Sequence, residues 1–343
     1  MAACGCVHSR MSATGEPPAP ESSSAGPLVV FIARRAEESL ISRVTALIAA
    51  GVDAHIIADE VESLPAVLPR NAGDDGDEWS KSALRRCAAR VHSVDATEVR
   101  RLKWTNMTAK FLKSGRDVTG WEKATLWAHG MLRADAAAPE VGAGNETAQR
   151  CVWFVEDDVW WAENGLVDMM SAYSSSSAHL IAQKLHPTYE NGPSWPHWAL
   201  GSGVLPNKFF SSSFNVICRV SFRVLEAAAA LARARGRLAF HEVLFASLVR
   251  MLAAGVFKPP PPTRKPENSP SELSSAAASD SASYADTHAE WFLPPWSSGI
   301  RYRPEWTDSE LSASLDETDV LVFHPVKHEV RLDGVPPQKR IKI

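Results

Sequence analysis

Residues 28–33 read LVVFIA, a continuous β-branched and aromatic run with no polar break. A run this short and this apolar fits a strand buried on both faces. Leu40, Ile41, Val44, Leu47 and Ile48 then recur at helical spacing, Gly51 stops the helix, and AHIIAD (54–59) supplies a second buried strand. Strand, helix and strand within about 30 residues form a βαβ unit. Parallel strands need such a crossover, so the expected fold class is α/β, a single Rossmann-related domain with a mostly parallel central sheet flanked by helices. Asp59 falls at the carboxyl end of the second strand, the edge where open α/β sheets bind ligands.

The rest of the chain extends this pattern. An apolar helix face runs through Trp121, Ala124, Trp127, Ala128, Met131 and Leu132, and CVWFV (151–155) re-enters the core as a strand. HLIAQ (179–183), FNVICR (214–219) and VLVFH (320–324) read as further strands, and 221–235 and 242–254 as helices. The 343 residues, 45% of them hydrophobic, suffice for one full core, expected over 27–330. The Ser-, Pro- and Gly-rich residues 1–26 read as a disordered leader, 258–288 as a flexible Pro/Ser/Ala-rich insertion, and 331–343 as a basic tail.

A net charge of −4 leaves no electrostatic footprint for nucleic acid. No stretch reaches the roughly 18 apolar residues of a transmembrane helix, so the chain is expected to be soluble and cytoplasmic, or to act in the Golgi lumen if its N-terminus is incomplete. The five cysteines are odd in number and widely spaced, apart from Cys4 and Cys6, which excludes a disulfide scaffold or a zinc motif.

Residues 151–161, CVWFVEDDVWW, place three adjacent carboxylates between apolar runs. Like charges repel, so something must hold them there. Side chains alternate across a strand, which puts Glu156 and Asp158 on one side and Asp157 on the other if the extended geometry persists. Two converging carboxylates suit a hard divalent cation, Mn²⁺ or Mg²⁺, that takes further ligands from substrate phosphates. Asp157 would then turn to a ribose or a backbone amide. The plainer alternative is an acidic turn whose carboxylates cap a helix beginning near Asn164.

VWFVEDDV resembles the acidic motif of GT-A fold glycosyltransferases, in which an apolar strand ends in Asp-x-Asp or a variant such as Glu-Asp-Asp. The resemblance implies that Glu156 and Asp158 hold a metal and, through it, the diphosphate of a nucleotide sugar. Three further elements follow in the order that fold requires. WALGSGV (198–204) is similar to the glycine loop that approaches the donor, with Gly201 and Gly203. GRLAFHEVLFASL (236–248) is similar to the segment whose acidic residue faces the acceptor, which makes Glu242 a general base, although Val243 stands where a second acid is common. VLVFHPVKH (320–328) resembles the C-terminal segment whose histidine, here His324, completes the metal site. Arg34 and Asp59 would lie near the nucleoside, and Lys327 near the diphosphate.

Plainer alternatives stand beside each: a loop, a carboxylate complementing a helix dipole, a partly buried histidine, an exposed lysine. Twelve tryptophans are many for this length, and Trp195 and Trp198, in a loop, could stack on an acceptor sugar, whereas Trp153 belongs to the core. The expected activity is transfer of a sugar from a nucleotide-diphosphate donor to a glycan, protein or small-molecule acceptor, with inversion if Glu242 takes the proton. The alternatives are a non-catalytic nucleotide- or carbohydrate-binding module and a metal-dependent phosphohydrolase.

Overall fold

The computed structural model describes residues 27–59, 87, 89–106, 117–137, 150–162, 164–184, 200–257, 289–301, 305–317 and 321–326. The expected leader, insertion and tail lie outside these residues. The described part is α/β, built on one seven-stranded sheet.

The LVVFIA run forms β1 (Leu28–Ala33), and every one of its residues is buried. Helix α1 (Glu38–Ala49) buries Leu40, Ile41, Val44, Leu47 and Ile48. Gly51, with φ at +86°, turns the chain into β2 (Asp53–Ala58), parallel to β1. The sequence expectation for this unit holds to within one residue. β3 (Val91–His92) pairs parallel on the far side of β2. After α2 (Ala96–Arg101) and α3 (Gly120–Ala137), the chain returns to β4 (Cys151–Glu156), which pairs parallel with the free edge of β1. β5 (Trp160–Trp161) and α4 (Gly165–Ala172) precede β6 (Leu180–Lys184) and the fully buried β7 (Ser213–Ser221).

The strand order is β3-β2-β1-β4-β7-β6-β8, where β8 is Ala289–Trp291. β7 runs antiparallel to both β4 and β6, and the remaining pairs are parallel. The order reverses between β1 and β4, which opens a crevice at their carboxyl ends.

Alternate residues along the strands feed two cores. Val30, Ile32, Val152 and Phe154 pack under α3, α5 (Phe222–Arg235) and α6 (His241–Ala253). Val29, Phe31, Trp153 and Val155 pack under α1 and α4. The period of two predicted for a strand thus supplies both faces of a three-layer sandwich.

The last expected strand forms, over Val322–Phe323. β9 (Val322–Phe323) does not join the central sheet; it pairs antiparallel with β5 in a separate ribbon. Trp160, Ala162 and Phe323 share a small third cluster with Leu311 and Leu315 of α7 (Asp308–Glu317). An apolar run shows that a strand is buried, but not against which partner. No helix among the described residues is long and apolar enough to cross a membrane.

Candidate metal centre

β4 delivers Glu156 to the carboxyl edge of the sheet, and there the strand stops. Asp157 and Asp158 form a turn, closed by the Val159 amide on the Glu156 carbonyl at 3.1 Å. Strand pleat therefore does not separate the three carboxylates, as the sequence suggested; the turn does. It folds Asp158 back beside Glu156 and sends Asp157 towards β1, where Asp157 Oδ2 accepts from the Arg34 amide at 3.3 Å.

His324 arrives from the β5–β9 ribbon. Its Nε2 lies 3.2 Å from Asp158 Oδ1 and 4.0 Å from Glu156 Oε2. One ligand atom from each of Glu156, Asp158 and His324 falls within 4.8 Å of the others, the one such group found among the described residues. The ribbon fixes this meeting through its backbone: Val326 N donates to Asp158 O at 2.8 Å, and Ala162 N to Leu321 O at 2.9 Å.

Glu156 and His324 are each oriented from behind. Trp121 Nε1 donates to Glu156 Oε1 at 2.8 Å, leaving Oε2 turned to the site. His324 Nδ1 lies 3.0 Å from the Arg301 carbonyl, which can only accept. In the neutral ring that bond places the hydrogen on Nδ1 and the lone pair on Nε2, towards the carboxylates. Two carboxylates and an imidazole, with outer partners on Glu156 and His324, form an oxygen and nitrogen donor set that fits Mn²⁺, and Mg²⁺ less well.

The electrostatics are those of a site short of positive charge. Burial, then the charge of Asp158, pushes the Glu156 carboxyl up to about 7, against the pull of Trp121 and His324. Asp157 is raised by burial and by Asp158. Glu242, in the first turn of α6 and 7% exposed, is pushed up to about 8 by burial and by the charge of Glu156. Asn215 of β7 donates to the His241 carbonyl at 2.9 Å and pins the start of that helix, and the His241 ring stacks on Trp121 at 4.0 Å. Trp121 thus bridges the acidic turn and the helix that carries Glu242.

The other candidates are placed less directly. Asp59, one residue past β2, is ion-paired with Lys123 at 2.7 Å, so part of its carboxylate is engaged within the protein. Arg34 meets Asp157 through its backbone. A Cβ on Gly201 would stand 3.0 Å from Val243 and 3.1 Å from Phe210, and Gly203 has φ at +72°. Core packing and a left-handed turn account for these glycines without a ligand. Trp195, Trp198 and Lys327 lie outside the described residues. In the capping alternative the helix after the motif begins at Gly165, and its N-cap residue Asn164 makes no side-chain cap hydrogen bond.

Two residues at the site went unread in the sequence. Trp121 looked like one more member of an apolar stripe, although a buried indole N–H calls for an acceptor. Arg43 sits among Leu40, Ile41 and Val44 at the margin of the α1 stripe, where a charge signals a nearby polar partner. The chain matches no protein-family model and no curated protein.

Proposed function

We propose that this chain is a metal-dependent glycosyltransferase of GT-A type, moving a sugar from a nucleotide-diphosphate donor to an acceptor hydroxyl. The observation that carries the reading is the meeting of Glu156, Asp158 and His324 at the carboxyl edge, beside the reversal of strand order. These three residues would hold Mn²⁺ or Mg²⁺, and the bound cation supplies Lewis-acid relief of the charge that grows on the leaving diphosphate.

The protein groups around them have separate tasks. Trp121 and the Arg301 carbonyl orient Glu156 and His324. Glu242 receives the proton of the acceptor hydroxyl; the hydroxyl oxygen bonds to the anomeric carbon as the bond to the diphosphate breaks and its electron pair leaves with the diphosphate, so the configuration inverts. A carboxylate whose acid is pushed up to about 8 is a stronger base than an ordinary glutamate, and because only its ionised form accepts a proton, turnover should rise with pH through that value. The nucleoside would lie over the ends of β1 and β2, near Arg34 and Asp59.

Thermal shift against a panel of nucleotide sugars, with and without Mn²⁺, tests the reading. The expected result is stabilisation that requires Mn²⁺ and is lost in Asp158→Asn; a ligand at 100 times its Kd adds about 2.7 kcal/mol. If no nucleotide sugar stabilises the wild type in Mn²⁺, the transferase reading falls. The burial of Glu242 favours a second reading, a non-catalytic binding module. Glu242→Gln separates the two: a transferase keeps donor affinity and loses turnover, whereas a module binds donor but turns over neither variant.

A further inference from the structure

The turn that presents Asp158 is gripped from α1. Arg43 Nη2 donates to the Asp157 carbonyl at 3.0 Å and Nη1 to the Val159 carbonyl at 2.5 Å, so one guanidinium holds the residues on either side of Asp158. The carbonyl between them, that of Asp158, accepts from Val326 N at 2.8 Å. Three consecutive carbonyls of the turn are therefore fixed from outside it, two of them by a single side chain. The guanidinium also lies over the Trp161 ring, 4.9 Å from its centroid, and its Nε faces the Ser39 carbonyl at 3.4 Å.

We infer that Arg43 is a positioning residue of the candidate metal centre, which holds the 156–159 turn in the one geometry that brings Asp158 beside Glu156 and His324. This deepens the proposed function and rests on its reading of those three residues as metal ligands. The planar fork is what the role needs, because two carbonyls in different directions must be met by donors of fixed relative orientation. A lysine ammonium keeps the charge but has no such fork. The guanidinium also bears on the question posed by three adjacent acids: a half-buried cation against the turn attracts the charges of Asp157 and Asp158 and offsets part of the repulsion before any metal binds. Burial lowers Arg43 to about 10, while the charges of Asp157 and Asp158 oppose that fall, so it stays charged at neutral pH.

A helix-to-turn staple with no bearing on the metal would have the same contacts, so the test must separate affinity from stability. Mn²⁺ is titrated into the full-length wild type, Arg43→Lys, Arg43→Met and Asp158→Asn, with the free ion followed by its electron paramagnetic resonance, and each metal-free protein is melted in parallel. Loss of an outer partner of a ligand weakens metal binding by about 10- to 100-fold. The expected result is a rise of that size in the Mn²⁺ Kd of Arg43→Lys, with its metal-free Tm close to wild type, and no weaker an effect in Arg43→Met. If both variants fold and bind Mn²⁺ with the wild-type Kd, Arg43 is only a staple and the inference is overturned while the metal reading stands. If the wild type itself takes up no Mn²⁺, or Asp158→Asn takes it up equally, the metal reading falls and this inference with it. Should Arg43→Met not fold, Arg43→Lys decides alone.

Discussion

Glu122 sits in the first turn of α3 with its carboxylate folded back on Thr119, accepting from the Thr119 amide at 2.7 Å and from its hydroxyl at 2.6 Å. Burial pushes its carboxyl up to about 7, against those hydrogen bonds. A carboxyl raised in the folded state binds its proton more tightly there than in the unfolded chain. Its contribution is fully present below about 4.5 and is lost as pH rises to about 7. Glu122→Gln keeps an acceptor for both Thr119 donors, so the variant should lose less stability than wild type between pH 4.5 and 7; parallel urea titrations across that range read the difference. Trp121→Phe makes a second case. It leaves a smaller aromatic ring but removes the donor to Glu156, and should cost about 1–3 kcal/mol in urea unfolding at pH 8 while also weakening Mn²⁺ binding. The acids of the site were legible because a carboxylate after an apolar strand has few purely structural uses. Trp121 and Arg43 were not, because each matters for one directed hydrogen-bonding group, and spacing reports only which face is buried.

At the scale of elements, helix starts are written into the chain more firmly than strand partners. Thr119 and Glu122 form a capping box, and Thr307 and Glu310 repeat it, with the Thr307 amide on Glu310 at 2.9 Å. Both follow the T-x-x-E spacing, so the first turn of α3 that presents Trp121 is fixed locally. The β5–β9 ribbon is fixed only by tertiary contact, and that is why VLVFH was legible as a strand but not as part of a ribbon. Its weak point is Gly165, at the start of α4. A Cβ there would lie 2.5 Å from Leu321 Cβ and 2.7 Å from the Leu321 carbonyl, which already accepts from Ala162. Backbone cannot yield as a side chain does. Gly165→Ala should therefore destabilise by about 1–3 kcal/mol in a denaturant titration. The same variant should also weaken Mn²⁺ binding, because the displaced segment leads directly to His324.

For the molecule as a whole, the α/β class and the order of the first βαβ unit were legible because a continuous apolar run and a helical stripe each allow one kind of element. The antiparallel insertion of β7 between β4 and β6 was not, since direction depends on connections that leave no mark on the apolar pattern. The architecture implies uneven stability. β1 and β7 are buried throughout, whereas the ribbon strands have two residues each, with Trp161 and Val322 on the edge of the main core and Trp160 and Phe323 in a separate small cluster. In hydrogen exchange, the His324 and Val326 amides should open well before those of Val30 and Phe154. Mn²⁺ should slow the two ribbon amides in wild type and not in Asp158→Asn, because the ion joins Asp158 to His324. The separation of ribbon from sheet also sets an order of events during synthesis. All seven sheet strands have emerged by Trp291, and His324 follows later. A nascent chain can thus fold its sheet and expose the acidic pair while the imidazole is still inside the ribosome. On the proposed metal reading the third ligand arrives last, so a chain stalled between these points should bind Mn²⁺ more weakly than the full-length protein in a titration.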